Sequence, residues 1–523
     1  MFKKALAAFF AVILIALFWR LDGITFDSLW LDEAYQTMID VYCVALPEFT
    51  EVPVKPYVFK FGTPVSSSQM LSTFRTMDLL SPPLYPLMLN RWVTAFGGSD
   101  FAVRTLSVTI SLLCLSVLFG FVYGVFGLRA AVLVGLLQAF SPYDITYAQE
   151  VRMYSLVELT AGLTCCSLIW YLVKQPRGWL GWCFLLAYAV GAWAMINSHY
   201  TGLFVFMFTV VLGFGFVLGR RDWRLLAKLI GAWALIAVLW FPWLGMFRQS
   251  AALRTASFYV ARSPSWWWPP YALFLRIPTN WLDFLSGKQV VAYAIPVYLS
   301  AAVTVLLAMA VPFLRVARKL RLRLDRTTAF DRYALIAYVC VWLWALIPAI
   351  GLWSIDVVEN HKVIQYSRYV IGTAPAIFII AGVALARLSW KSPAFITILA
   401  AQLVFASVNN IAHSTVVHQR EPWRQMARIV ETECAPDQLL LVSQYYDVVC
   451  LNRYLQKPFL QLGISPQMGA AHVDKVLGNA RGFSLLTAQD GESEAELIPL
   501  RFKQTKKFDL EHGLHLRIYT ANF

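Results

Sequence analysis

The chain has 523 residues, of which 59% are hydrophobic and only 14% charged, and its formal net charge is +14 at pH 7. Soluble domains are about a quarter charged, so this composition excludes a soluble enzyme or a nucleic-acid-binding module as the main body of the chain. The basic residues sit in short loops between apolar runs, where they orient a membrane protein and meet anionic headgroups.

The first apolar run, Ala5 to Phe18, follows Lys3 and Lys4. It leads into Trp19-Arg20-Leu21-Asp22 rather than a small-x-small cleavage site, so it is expected to persist as a helix. Residues 20–100 contain no run of the roughly 17–25 apolar residues that a crossing needs. They are expected outside the membrane, with short helices on its surface. Further spans are expected at 101–124, 128–144, 151–173, 179–197, 200–219, 225–247, 289–314, 333–353, 369–388 and 393–412. With the first, that makes about 11 transmembrane helices. Alternation then puts Arg129, Lys174, Arg177, Arg220, Arg221, Arg224, the basic run 315–323, Arg387 and Lys391 on the side of Lys3 and Lys4. That side is the cytoplasm, because lysine and arginine are retained there. On the other side fall 20–100, a turn at 145–150, Asn197-Ser198-His199-Tyr200, 248–288, 354–368 and everything after His413.

The tail, 413–523, is polar and has no further span. A helix is expected at Trp423–Glu433, a buried strand at Leu439–Val442, a helix at 466–478, and strands at Phe483–Thr487 and Leu514–Tyr519. Alternating elements in about 110 residues describe a small α/β domain able to bury its own core. The expected fold class is therefore an α-helical polytopic membrane protein, 1–412, carrying a small extracytoplasmic α/β domain, 413–523. None of the eight cysteines shows Cys-x-x-Cys metal spacing. Cys434 and Cys450 both fall in the outer domain, and the sequence leaves a disulfide between them open.

The polar features of chemical interest gather at the outer helix ends. The stretch Ser28-Leu29-Trp30-Leu31-Asp32-Glu33-Ala34-Tyr35 places two adjacent carboxylates beside aromatic residues close to lipid. Such charges are costly there and mark a site by default. Later come Ser81-Pro82-Pro83-Leu84-Tyr85, the segment from Ser99 to Ser107, Tyr147-Ala148-Gln149-Glu150-Val151-Arg152-Met153-Tyr154-Ser155, and Ser367-Arg368-Tyr369.

In this order, across residues 5–390, these segments resemble the GT-C-type polytopic glycosyltransferases that use polyprenyl-phosphate sugars. That group includes the bacterial protein O-mannosyltransferases and the aminoarabinose transferase of lipid A modification. Glu421-Pro422-Trp423-Arg424 is similar to the start of the outer domain in bacterial members. One position departs: relatives often carry His or Lys where this chain has Ser81. The resemblance implies a multi-pass protein of the bacterial cytoplasmic membrane, with its N-terminus inside and its C-terminal domain outside. It also implies transfer of a sugar from a lipid-linked donor to a lipid, glycan or protein hydroxyl.

Transfer from a phosphate needs no general acid, since phosphate already leaves well, but it needs a base at the acceptor and a cation at the phosphate. The resemblance makes Asp32 the base, with Glu33 and Glu150 as further candidate catalytic carboxylates. Glu150 is also a candidate to orient the acceptor or hold a divalent metal. Arg368 is the first candidate for the phosphate, because guanidinium presents paired donors. Arg152 and Lys362 follow it, and His199 and Tyr85 are candidates for acceptor or metal contact. Each has a plainer alternative: a helix cap for Asp32, a structural role for Glu33, an ion pair for Glu150 and Arg152, a headgroup anchor for Arg368. Two rival functions stay open, a flippase for lipid-linked sugars and a polysaccharide polymerase or ligase. Sugar, acceptor, metal dependence and oligomeric state are not encoded in any motif.

Overall fold

The computed structural model describes residues 2–43, 64–77, 81–256, 267–286, 332–416, 420–443, 447–464, 470–488 and 498–521. Among these residues nine helices are long and apolar enough to cross a membrane: Phe2–Leu21, Asp100–Phe126, Tyr154–Lys174, Gly178–Ile196, Gly202–Arg220, Trp223–Ser250, Arg332–Glu359, Ser367–Ala386 and Pro393–Thr415. The chain is a multi-pass membrane protein. The expected span at 289–314 and the basic run at 315–323 lie outside the described residues.

One expected span takes a different form. Instead of a single crossing at 128–144, the chain forms an apolar helix over Leu128–Phe140 and a second, short helix over Pro142–Ala148. The break has a local cause: Pro142 cannot donate to a continuing helix, and Ser141 starts a new one by accepting the Asp144 N–H at 3.1 Å. Thirteen residues reach only about 20 Å, short of the roughly 30 Å hydrocarbon core. The short helix takes up the first part of the turn expected at 145–150, and the chain turns at 149–153.

The described chain forms two compact units. The first comprises Met1–Asp22, Asp78–Tyr85 and Arg104–Ser414. Its centre is built from Tyr154–Lys174 and Ser367–Ala386, whose apolar windows are 83% and 94% buried, whereas Trp223–Ser250, at 17%, turns most of its side chains outward as a lipid-facing helix. Close approach in the centre relies on glycine. A Cβ at Gly382 would lie 2.5 Å from Val134 Cγ2 and 2.7 Å from the Val134 nitrogen, so Ala374–Ala386 and Leu128–Phe140 touch backbone to backbone there. The Ser367–Thr373 segment is 3₁₀ rather than α-helical, and Trp344 Nε1–H donates to its Gly372 carbonyl at 2.9 Å.

The second unit comprises Gly23–Met77, Pro86–Val103 and Thr415–Phe523. Its tail carries a five-stranded sheet: Leu439–Ser443 (β1), Gln461–Ile464 (β2), Gly482–Thr487 (β3), Phe502–Leu510 (β4) and Leu514–Ala521 (β5), in the order β2-β1-β3-β5-β4. The first three are parallel, and β5 and β4 add antiparallel. The run Leu439-Leu440-Leu441-Val442 is apolar on both faces because helices cover both sides of a parallel strand. Its core includes Leu441, Leu485, Val473 and Leu477, with Phe483 stacked on Tyr519 at 4.8 Å. Cys434 and Cys450 are both buried free thiols, Cys434 lying 3.2 Å from Ser484 Oγ.

Candidate functional site

In the first unit, Glu150 and Arg152 lie on the turn that follows the Pro142–Ala148 helix. Ser141 Oγ–H donates to the Phe284 carbonyl at 2.7 Å, fixing the helix start. At the other end, Gln149 Nε2 donates to the carbonyls of Arg20, at 3.1 Å, and Asp22, at 2.7 Å. These are orphan acceptors at the end of the first helix. Ser155 closes the turn by donating to the Tyr147 carbonyl at 3.0 Å. Between these anchors Glu150 is buried, and its carbonyl accepts the Arg152 N–H at 2.8 Å.

An aromatic ladder leaves this turn. Tyr143 meets Tyr147 at 4.7 Å, Tyr147 meets Tyr154 at 4.8 Å, Tyr154 meets His199 at 6.4 Å, and His199 meets Tyr369 at 5.9 Å between ring centroids. The Arg368 guanidinium ends the ladder, 5.4 Å from the rings of both Tyr366 and Tyr369. Contacts of this kind hold a guanidinium in place. His199 Nδ1 accepts the Thr201 N–H at 3.2 Å and lies 2.7 Å from Thr201 Oγ1. The imidazole proton is thereby directed to Nε2. A small, shallow cleft adjoins the ladder, lined by Thr201, Gly202, Val205, Pro348, Tyr369 and Gly372. The fold thus groups the Glu150–Arg152 turn, His199 and Arg368.

Two further candidates are placed differently. Tyr85 is fully buried with its hydroxyl 2.8 Å from Ser107 Oγ, a packing position. Lys362 holds its ammonium 5.1 Å from the Trp268 ring. Among the described residues, no three His, Cys, Asp or Glu side chains could hold a metal ion.

In the second unit, Trp30 is extended (φ −85°, ψ 176°) and opens the short helix Leu31–Tyr35. Asp32 and Glu33 are neighbours with different surroundings. Glu33 is 1% exposed, and its Oε2 accepts the Trp30 N–H at 3.4 Å, the reach-back half of a capping box. Thr37 Oγ1 donates to the Glu33 carbonyl at 2.8 Å. Asp32 remains half-buried. The Leu31–Tyr35 helix packs on the Asp447–Asn452 helix of the tail. There burial, with the added charges of Asp447, Glu421 and Asp32, pushes the Cys450 thiol far above the usual range. The Arg420 guanidinium lies 4.0 Å from the Trp30 ring.

No protein-family model and no curated protein sequence matches the chain. Solved structures do. ArnT from Cupriavidus metallidurans in the apo state aligns with TM-score 0.60 over 99% of this chain and 98% of its own, at 14% identity. The same protein bound to undecaprenyl phosphate aligns with TM-score 0.58 over 98% and 97%, also at 14% identity. The oligosaccharyltransferase AglB from Archaeoglobus fulgidus, in complex with an inhibitory peptide and a dolichol-phosphate, aligns with TM-score 0.50 over 100% of this chain and 75% of its own, at 11% identity.

The chain has the GT-C fold. The expectation drawn from Asp32-Glu33, Pro82-Pro83-Leu84-Tyr85 and Ser367-Arg368-Tyr369 is met at that level.

The GT-C bundle also holds a charged group that the sequence reading passed over. Arg20 and Asp144 form an ion pair with both side chains at 0% exposure. Arg20 Nε donates to Ser111 Oγ at 2.9 Å and Nη1 to the Ala16 carbonyl at 3.1 Å, while Ser111 donates to Asp144 at 3.3 Å. Glu158, fully buried one helix away, lies in electrostatic reach of both charges. The available signal was the rule that ionisable groups inside a membrane pair with one another. It makes Arg20, at the end of one apolar run, and Glu158, inside another, require partners.

Proposed function

We propose that this protein is an integral-membrane glycosyltransferase that moves a sugar from a polyprenyl-phosphate-linked donor to an acceptor hydroxyl. The observation that carries this reading is the end-to-end structural match to ArnT, which has been solved bound to undecaprenyl phosphate. The AglB match, with its dolichol-phosphate, points to the same class of lipid. Arg368, held between Tyr366 and Tyr369 beside an apolar cleft, is the group we assign to the donor phosphate, and Arg152 to a supporting role.

In the reaction, the acceptor oxygen attacks the anomeric carbon, and the bond from that carbon to the phosphate oxygen breaks with its electron pair going to the phosphate. The acceptor proton passes to Asp32. One displacement inverts the anomeric centre. Asp32 is favoured over Glu33 because Glu33 is committed to the helix start, while Asp32 is half-buried. The basic loops support an N-terminus in the cytoplasm and a C-terminal domain, from about 413, on the opposite face.

The test is transfer by the purified protein from synthetic polyprenyl-phosphate mannose, glucose, galactose and aminoarabinose, with membrane extract as acceptor source. Release of polyprenyl phosphate with labelled product is the expected result. Asp32→Asn should leave the protein folded in the membrane and lower transfer by about 10²–10⁴-fold or more. Full activity in that variant would remove Asp32 from the mechanism. Donor-independent movement of lipid-linked sugar across proteoliposomes, without transfer, would replace the whole reading with a transporter.

A further inference from the structure

The second unit contains a polar knot formed by residues far apart in sequence. Asp100, at the start of the Asp100–Phe126 helix, receives Arg453 Nη2 on Oδ1 at 2.8 Å and Arg424 Nη2 on Oδ2 at 2.9 Å. Tyr454 Oη–H donates to Asp100 Oδ2 at 2.8 Å. Arg453 also donates to the Gly98 carbonyl. One carboxylate thus gathers both guanidinium groups and a phenol from the tail.

The knot continues into the stretch before Asp32. Tyr454 Oη accepts the Leu29 N–H at 2.7 Å. The Arg424 N–H donates to Ser28 Oγ at 3.0 Å, and Arg424 Nη1 donates to the Thr25 carbonyl at 3.2 Å. Leu29 is fully buried, so its amide has no water to fall back on. The phenol is well suited to this post. Burial, reinforced by the charge of Asp100, raises Tyr454 above its ordinary value, so it stays protonated and can accept from Leu29 while donating to Asp100. The extended backbone at Trp30 follows directly, and then Leu31 and Asp32.

We infer that Tyr454, braced by Asp100 and Arg453, is a positioning residue for Asp32: the tail fixes the Thr25–Leu29 backbone and so sets where the carboxylate stands. This gives the C-terminal domain a task in the reaction other than covering a site or capturing an acceptor. The inference rests on the assignment of Asp32 as base. The reasoning is geometric. A catalytic group displaced by about 1 Å loses up to about 10²-fold in rate, and Asp32 lies only three residues beyond the tethered Leu29 amide.

Tyr454→Phe in the full-length protein, assayed in the transfer reaction, tests it. It keeps the ring and removes the one oxygen shared by Leu29 and Asp100. The expected result is a kcat lower by about 10- to 100-fold, with donor KM unchanged. Amide hydrogen exchange should rise within residues 24–31 and stay unchanged in the β-sheet. Asp100→Asn, which still offers an oxygen to the Tyr454 hydroxyl, should retain more kcat than Asp100→Leu. Full kcat in Tyr454→Phe, alongside an inactive Asp32→Asn, overturns the positioning role and leaves the base standing. An active Asp32→Asn fails the base assignment instead. Exchange rising throughout the tail, or a change in KM alone, would make Tyr454 a residue of general stability and overturn the inference as well.

Discussion

Removing Arg20 should cost this protein more than removing any surface charge. Its guanidinium is fully buried and serves Ser111, the Ala16 carbonyl and the Asp144 carboxylate. Arg20→Met keeps most of the length and strands Asp144, which is also fully buried, next to Glu158. Breaking one side of a buried pair costs about 3–5 kcal/mol, because the remaining charge has lost its counter-charge and gains no water. Taking both charges away is different: the desolvation penalty disappears with the attraction. Arg20→Met with Asp144→Leu should therefore lie within about 1 kcal/mol of the parent, since apolar replacement of a whole buried pair is often neutral or better. Arg20→Lys keeps a point charge but loses the planar fork and should fall between. The assay is the midpoint of unfolding of the purified protein, titrated with a denaturing detergent, for the parent, both singles and the double. A double variant as unstable as the sum of its singles would refute the reasoning. It would mean that each side chain acts through separate packing and not through the pair.

Other consequences can be checked at the same bench. Gly382→Ala should destabilise by about 1–3 kcal/mol, because its methyl would meet the Val134 backbone, whereas Gly231→Ala, with nothing within 4 Å of the added methyl, should be silent in the same titration. Cys434 and Cys450 should resist alkylation of the native protein at pH 7–8. Burial raises both thiols, so the thiolate appears only at a pH above the ordinary cysteine range, and labelling should begin when the tail is unfolded. Glu33→Gln should retain far more transfer activity than Asp32→Asn, because an amide oxygen can still accept the Trp30 N–H; equal losses would put Glu33 in the chemistry.

The sequence was legible where a single period ruled. Runs such as 101–124 and 179–197 announce their helices by length and hydropathy alone, and the tail helix Trp423–Glu433 coincides with its expected bounds through its apolar spacing. It was less legible where a local choice depended on a distant partner. The strand Gln461–Ile464 is only four residues long and exists because Leu439–Ser443 offers it an edge. Phe502–Leu510 is lysine-rich, as befits an exposed edge, and so lacks an apolar alternation to betray it. The site divides in the same way. Asp32, Glu150 and Arg368 stood out because charges at helix ends are costly. Asp100 and Tyr454 did not, since their meaning lies in bonds 354 positions long.

Those long bonds have a consequence for how the protein comes into being. The compact unit that contains Asp32 is assembled from three stretches of chain, and the last begins at Thr415. A ribosome adding about 5–20 residues per second needs on the order of 20–80 s to travel from residue 43 to residue 415. Throughout that interval Leu29 is already made, and Asp100 for most of it, while Tyr454 is not. The segment bearing the carboxylates must wait, unfinished, until the intervening helices have been made and the tail has folded. Completion of this unit is thereby withheld from every product truncated before the tail, and a check on completeness follows from the order of synthesis alone.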